Sequence, residues 1–233
     1  MKQPETALIV GAGSGLSASL ARLFAKDGMR VALAARDTSK LASLVKETSS
    51  LPIACDAAEL AQVEAMFAAV EAKWGVPDLV VYNAGYRVRG PIVGLDPGEV
   101  ERTIRVTAYA GFLVAQRAAK RMLARGSGAV FFTGASASVK GYAESAPFAM
   151  GKFALRGLAQ SMARELAPKG IHVAHFVIDG GIAKGPSDPR AHERGADAML
   201  LPDEIAKNYL HVYKQHRSAW TWEVELRPWA ERF

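Results

Sequence analysis

Short apolar runs alternate along this chain with longer stretches whose apolar residues recur at helical spacing. The runs are Ala7–Val10, Val31–Ala34, Pro52–Cys55, Leu79–Tyr82, Ala129–Thr133 and Val173–Ile178. Helical patterns begin at Leu16, Lys40, Glu59, Ile104, Phe148 and Pro202. Pro202 suits a first helical position, and Asp203 and Glu204 favour the positive end of the helix they open. The tail Trp222-Glu223-Val224-Glu225-Leu226 alternates and predicts a final strand. Strand and helix taking turns is the signature of βαβ units around a parallel sheet. No repeat or low-complexity linker divides the chain. The pattern predicts one doubly wound α/β domain over residues 1–233, with a parallel sheet of about seven strands and helices on both faces.

Composition narrows the class. At 233 residues, half of them apolar, the chain can bury one substantial core. No apolar run is long enough to span a bilayer, so no membrane partner is expected. The segment MKQPETALIV passes straight into a strand, and no signal peptide is expected. Cys55 is the only cysteine, which excludes an internal disulfide and makes the cytoplasm the default compartment. A net charge of +6 suits an anionic ligand, and scattered basic residues argue against a nucleic-acid surface. His172 and His175 fall on a strand pattern, and His192, His211 and His216 lack partners at metal-ligand spacing, so no metal site is expected. Trp220, Trp222 and Trp229 crowd the tail, either to pack it onto the body or to form a subunit interface.

The first strand leads into Gly11-Ala12-Gly13-Ser14-Gly15-Leu16-Ser17 and then an alanine-rich helix. Glycines there let the backbone turn tightly and approach a pyrophosphate at the helix N-terminus. The second strand ends in Ala34-Ala35-Arg36-Asp37. An acid at the strand's end would bind the ribose hydroxyls of NAD, but Ala35 stands there. Arg36 follows and suits a 2′-phosphate, so NADP is favoured over NAD, although Asp37 blurs the distinction.

With these motifs in order, the chain resembles the short-chain dehydrogenase/reductase family over essentially its full length, which implies a Rossmann-type domain. Gly11 and Gly15 match the first two glycines of that family's loop, and Ser17 replaces the third. Cys55-Asp56-Ala57 is similar to the segment after strand three, whose aspartate contacts adenine. Tyr82-Asn83-Ala84-Gly85 is similar to the family's NNAG, with tyrosine for the first asparagine. Asp179-Gly180-Gly181-Ile182 resembles the loop that meets the nicotinamide, with Asp179 where proline is usual. Residues 183–201 would then form the substrate lid, an irregular segment by its Gly185-Pro186 and Asp188-Pro189 pairs.

The resemblance implies four chemical roles: a tyrosine that moves the proton, a lysine that tunes it and holds the ribose, a serine at the carbonyl, and a supporting asparagine. Lys152 matches the lysine, and Phe148 stands where the tyrosine is expected. Ser136 is nearer the family's usual serine offset than Ser138, and Ala135 falls on that offset. Thr107 takes the asparagine's place and has no amide to give. Without the phenol three readings stand. Another tyrosine supplies the proton, with Tyr142 nearest and Tyr82, Tyr86 and Tyr109 as others; the substrate is activated or water protonates it; or the chain only binds NADP, as a sensor or an oligomer subunit. Dehalogenase-type chemistry, which discards the nucleotide, fits badly because the glycine loop and Lys152 are both present. The substrate would be a small carbonyl or alcohol. The helices from Ile104 and Phe148 are those through which the resembled family pairs into homodimers and homotetramers.

Overall fold

Most of the apolar runs become strands because helices cover both of their faces; Leu51–Ala54, at the sheet edge, leaves every second residue exposed. In the computed structural model, which describes residues 3–185, 188–195 and 197–231, the strands are β1 (Thr6–Val10), β2 (Arg30–Ala35), β3 (Leu51–Ala54), β4 (Leu79–Tyr82), β5 (Gly128–Thr133), β6 (Ile171–Ile178) and β7 (Glu223–Leu226). All pair in parallel, in the order β3-β2-β1-β4-β5-β6-β7. The helices are α1 (Leu16–Lys26), α2 (Ala42–Thr48), α3 (Leu60–Trp74), α4 (Pro97–Ile104), α5 (Ala110–Arg125), α6 (Ala146–Leu166), α7 (Pro189–Arg194) and α8 (Pro202–Tyr213).

Side chains alternate across the sheet. Leu8, Val10, Val80, Tyr82, Val130 and Phe132 join one core with residues of α3, α5 and α6. Their neighbours Ala7, Ile9, Leu79, Val81, Ala129 and Phe131 join the other, with α1 and α8. Strand order reverses between β1 and β4, so a crevice opens at their carboxyl ends. The glycine loop and Asn83-Ala84-Gly85 lie on its two sides.

Three details correct the sequence expectation. The helix expected from Ile104 begins at Pro97, where the Asp96 carboxylate caps the Glu99 N–H at 2.9 Å. It continues through a π-turn, Arg105–Tyr109, into α5. The Tyr82 hydroxyl donates to the Val106 carbonyl within that turn, a side-chain insertion of the kind that loosens a helical ladder. Within 183–201, the segment expected to be irregular, α7 forms and Leu200 bridges to Ile182; Pro186, Ser187 and Ala196 lie outside the described residues. The tail tryptophans divide. Trp220 stacks on His172 at 4.7 Å, Trp222 is partly buried beside Arg156, and Trp229 is exposed. Among the described residues no helix is long and apolar enough to cross a membrane.

Candidate active site

The glycine loop is shaped by what it must touch and what it must leave open. Gly11 turns with φ +86°, and a Cβ there would lie 2.4 Å from the Ala84 nitrogen. Cβ atoms at Gly13 or Gly15 would instead meet open space. α1 starts just beyond, with no side chain capping its N-terminus. Ser17 is buried; its hydroxyl donates to the Gly11 carbonyl at 3.1 Å and accepts from the Asn83 amide at 2.7 Å. A serine thus takes the third glycine's place as a polar link between the β1 and β4 loops.

Beside this loop lies a cavity of about 330 Å³, lined by Gly11, Arg36, Lys40, Asp56, Ala57, Asn83, Ala84 and Gly85 among others. Asp37 also borders it, but its carboxylate is folded into its own turn. It accepts from the Ser39 N–H at 3.0 Å and the Ser39 hydroxyl at 2.6 Å, bonds that hold its carboxyl below the usual range. Lys40 approaches the same carboxylate at 3.5 Å, which leaves Arg36 as the exposed cation at this end without a carboxylate partner among the described residues.

A larger cleft of about 760 Å³ continues past the glycine loop. It brings together Ser14, Gly15, Leu16, Asn83, Gly85, Ser136, Tyr142, Phe148, Lys152, Gly181 and Ile182. Gly13 lines neither space. Lys152 is buried and donates to the Thr133 carbonyl at 2.7 Å, and burial lowers its ammonium to about 8. Its Nζ lies 5.8 Å from the centroid of the Phe148 ring. The Arg87 guanidinium covers that ring at 4.8 Å.

Burial separates the two candidate serines. Ser136 lines the cleft, whereas Ser138 is fully buried, takes the Ala135 N–H at 3.1 Å and lies 3.3 Å from His175 Nε2. His175 Nδ1 donates to Glu223 at 3.0 Å, and Arg156 grips that carboxylate with two bonds of 2.7 Å. Serine, imidazole and carboxylate are in relay order, but with Ser138 closed to the cleft they brace the Ser136 turn against β6 and β7.

The tyrosines divide as well. Tyr82 is buried with its hydroxyl committed to Val106, and Tyr109 stacks on Phe112 away from the cleft. Tyr86 borders the cleft, but its hydroxyl donates to Glu99 at 2.6 Å. Tyr142 faces the cleft beside Lys140, whose ammonium lies 5.8 Å from its ring and donates to Asp179 at 3.2 Å. Thr107 is fully buried under Gly151, with its hydroxyl accepting from the Tyr86 N–H at 3.4 Å. Cys55 is buried, and its thiol is pushed up to about 11, which makes it a poor nucleophile.

Comparison with known proteins agrees with this geometry. Residues 5–186 match the family model described as short chain dehydrogenase. The chain belongs to the short-chain dehydrogenase family. It is an oxidoreductase by that membership, and is similar to (+)-borneol dehydrogenase 1 of Salvia officinalis, 32% identical over 232 residues, 92% of this chain and 88% of that protein. A crystal structure of a short-chain dehydrogenase from Rhodopseudomonas palustris superimposes with a TM-score of 0.84 at 35% identity, over 98% of this chain and all of that one. A metagenomic short-chain oxidoreductase in complex with NADP superimposes at 0.83 with 27% identity, over 96% and 97%.

Two features of this short-chain dehydrogenase were missed in the sequence. Arg87 lies four residues past Asn83 and carries no motif of its own. Glu223 lies 48 residues from His175, and only the β6–β7 pairing brings them opposite each other.

Proposed function

We propose that this protein is an NADP(H)-dependent oxidoreductase that acts on a small carbonyl or alcohol through an atypical active site. The carrying observation is the convergence of Lys152, Ser136 and Tyr142 on the cleft that Gly15 and Leu16 border. The open space at Gly13 and Gly15, above an uncapped helix N-terminus, fits a pyrophosphate. Arg36 suits a 2′-phosphate, because the Asp37 carboxylate is taken up by Ser39 and, at 3.5 Å, by Lys40. A related structure in complex with NADP supports that nucleotide as a cofactor.

When bound, the nicotinamide supplies or accepts the hydride. This chain's residues do the rest. Lys152 holds the ribose, and Ser136 donates to the substrate oxygen. Phe148 takes the place of the family's phenol and shapes the wall. Tyr142, which lines the cleft, then gives the proton. A missing general acid commonly costs about 10²–10⁴-fold in rate, or roughly 3–5 kcal/mol. Hydride delivery to a held substrate survives on positioning alone.

The test is a titration with NADPH and NADH, followed by fluorescence transfer from tryptophan, and then a panel of carbonyl compounds. NADPH is expected to bind at least about tenfold more tightly, a difference near 1.4 kcal/mol. Tyr142→Phe should then slow turnover. Binding of neither nucleotide would refute the cofactor assignment; binding with no turnover would leave a nucleotide-binding module. The same reading includes a homodimer or homotetramer joined through α5 and α6. Tyr109, Phe112, Met150 and Phe153 are exposed on this side, an apolar set suited to burial against another copy. Light scattering of Phe153→Glu against wild type decides it, since only an assembly would dissociate.

A further inference from the structure

The cleft around Ser136, Tyr142 and Lys152 is lined by Arg87, Lys152, Lys184 and Arg190 and, among the described residues, by no carboxylate. These cations are not equivalent. Arg190 is neutralised, with Nε and Nη2 on the two oxygens of Asp188 at 3.0 and 2.6 Å. Lys152 is buried and spends a proton on Thr133. Lys184 is exposed on the segment beyond β6. Arg87 is exposed toward the cleft with its guanidinium over the Phe148 ring, and no carboxylate among the described residues pairs with it. Partial burial, and after it the like charge of Arg89, push its pKa down, so this cation lacks a counter-charge.

A guanidinium laid on an aromatic face is steered in orientation while its N–H edge remains free. That edge is a planar fork that matches a carboxylate with two parallel hydrogen bonds. The anions of the nucleotide have other partners on this chain, namely Arg36 and Lys40 at one end and the α1 N-terminus in the middle. We propose that Arg87 is the specificity-determining residue of the substrate site, and that the substrate carries a carboxylate near its reacting carbonyl or carbinol, an oxo acid or hydroxy acid. This rests on the oxidoreductase reading above. In the reducing direction the carbonyl carbon accepts hydride and its oxygen accepts a proton, giving the hydroxy acid; the two electrons are balanced by oxidation of the nicotinamide. Phe148 then has a positive role: it is the platform that orients Arg87.

The test is calorimetric titration of the protein, saturated with NADP⁺ and separately without nucleotide, using pyruvate, acetoacetate and levulinate and the methyl ester of each. Wild type, Arg87→Met and Arg87→Lys are compared. At least one acid should bind about tenfold or more tightly than its ester, the scale of one charge-assisted pair. Arg87→Met should erase that preference, and Arg87→Lys, a point charge without the fork, should keep only part of it. In turnover, the loss in Arg87→Met should fall mainly on KM for the acid. Equal binding of acid and ester in all three pairs overturns the proposal, as does a preference that survives in Arg87→Met, or no binding of any acid. Absence of NADP⁺ binding in the same titration sinks the oxidoreductase reading instead. The nucleotide-free comparison then decides the role of Arg87 in anion recognition by itself.

Discussion

The Asn83 amide donates to the Ser17 hydroxyl at 2.7 Å, and that hydroxyl donates onward to the Gly11 carbonyl at 3.1 Å. One small side chain thus ties the end of β1, the first turn of α1 and the end of β4 into a single unit beneath the glycine loop. A glycine at 17 would restore the family pattern and break that unit. Ser17→Ala is expected to destabilise the fold by about 1–3 kcal/mol through the partners it strands. Ser17→Gly should lose roughly 1 kcal/mol more through helix propensity. Both should weaken NADPH binding. Urea midpoints unchanged from wild type in both variants would show that the link carries no stability.

How far this was legible in the sequence depends on the range of the interaction. The six apolar runs correspond to β1 to β6 with ends shifted by at most two residues, because a parallel strand buried on both faces must be apolar throughout; only β3, at the edge, leaves alternate residues exposed. Asp96-Pro97 with Glu99 is the capping signal that starts α4, whereas the apolar spacing from Ile104 marks only the later part of a continuous helix. The π-turn was not legible, because its cause, the Tyr82 hydroxyl, comes from another element. At the site, local motifs marked the glycine loop and Lys152. Spacing favours Ser136 over Ser138, and burial separates them further, because Ser138 is held between Ala135 and His175.

At the adenosine end, charge decides the prediction. Arg36 and Lys40 are exposed, and the Asp37 carboxylate is engaged by Ser39 and, at 3.5 Å, by Lys40, so Arg36 is the cation open to a 2′-phosphate. Replacing Arg36 with Leu should weaken NADPH about tenfold or more and leave NADH nearly unchanged; adding Lys40→Leu should deepen the loss. Asp37→Ala should not create a preference for NADH. Parallel titrations with both nucleotides check this, and equal losses for the two would place Arg36 on something other than the 2′-phosphate.

His175 makes the fold sensitive to acid. Burial keeps its ring neutral down to about 4, against an ordinary value of 6.5, even though Glu223 pulls the other way. Between those values the unfolded chain binds the additional proton, so stability should fall as pH drops from about 6.5 to about 4 and be unaffected by this group above that window. At about 1.4 kcal/mol for each pH unit, the full effect is on the order of 3 kcal/mol. Thermal unfolding across this range should show a steeper acid slope in wild type than in His175→Gln, whatever the variant's stability at neutral pH. Identical slopes would mean that the folded ring keeps its ordinary pKa, the pull of Glu223 offsetting burial; a shallower slope in wild type would mean that Glu223 holds the ring as an ion pair.

Phe148 offers the sharpest test of the chemistry, because restoring the phenol changes a single atom. The ring already lies in the cleft, 5.8 Å from Lys152 Nζ, so a tyrosine there would carry its hydroxyl beside a cation that favours the phenolate. If that position serves the reacting oxygen, Phe148→Tyr should raise turnover of neutral ketones by about 10²-fold or more, the usual range for a general acid. It should also make Tyr142 dispensable: Tyr142→Phe alone is expected to lose rate, while Phe148→Tyr combined with Tyr142→Phe keeps the gain. The new hydroxyl would compete for the Arg87 guanidinium over the same ring, so the KM of an acidic substrate should rise as that of a neutral one holds. Steady-state kinetics of the four proteins on an oxo acid and its ester separate these effects. A Phe148→Tyr protein that folds, binds NADPH as tightly as wild type and gains no rate would show that the reacting carbonyl lies elsewhere in the cleft.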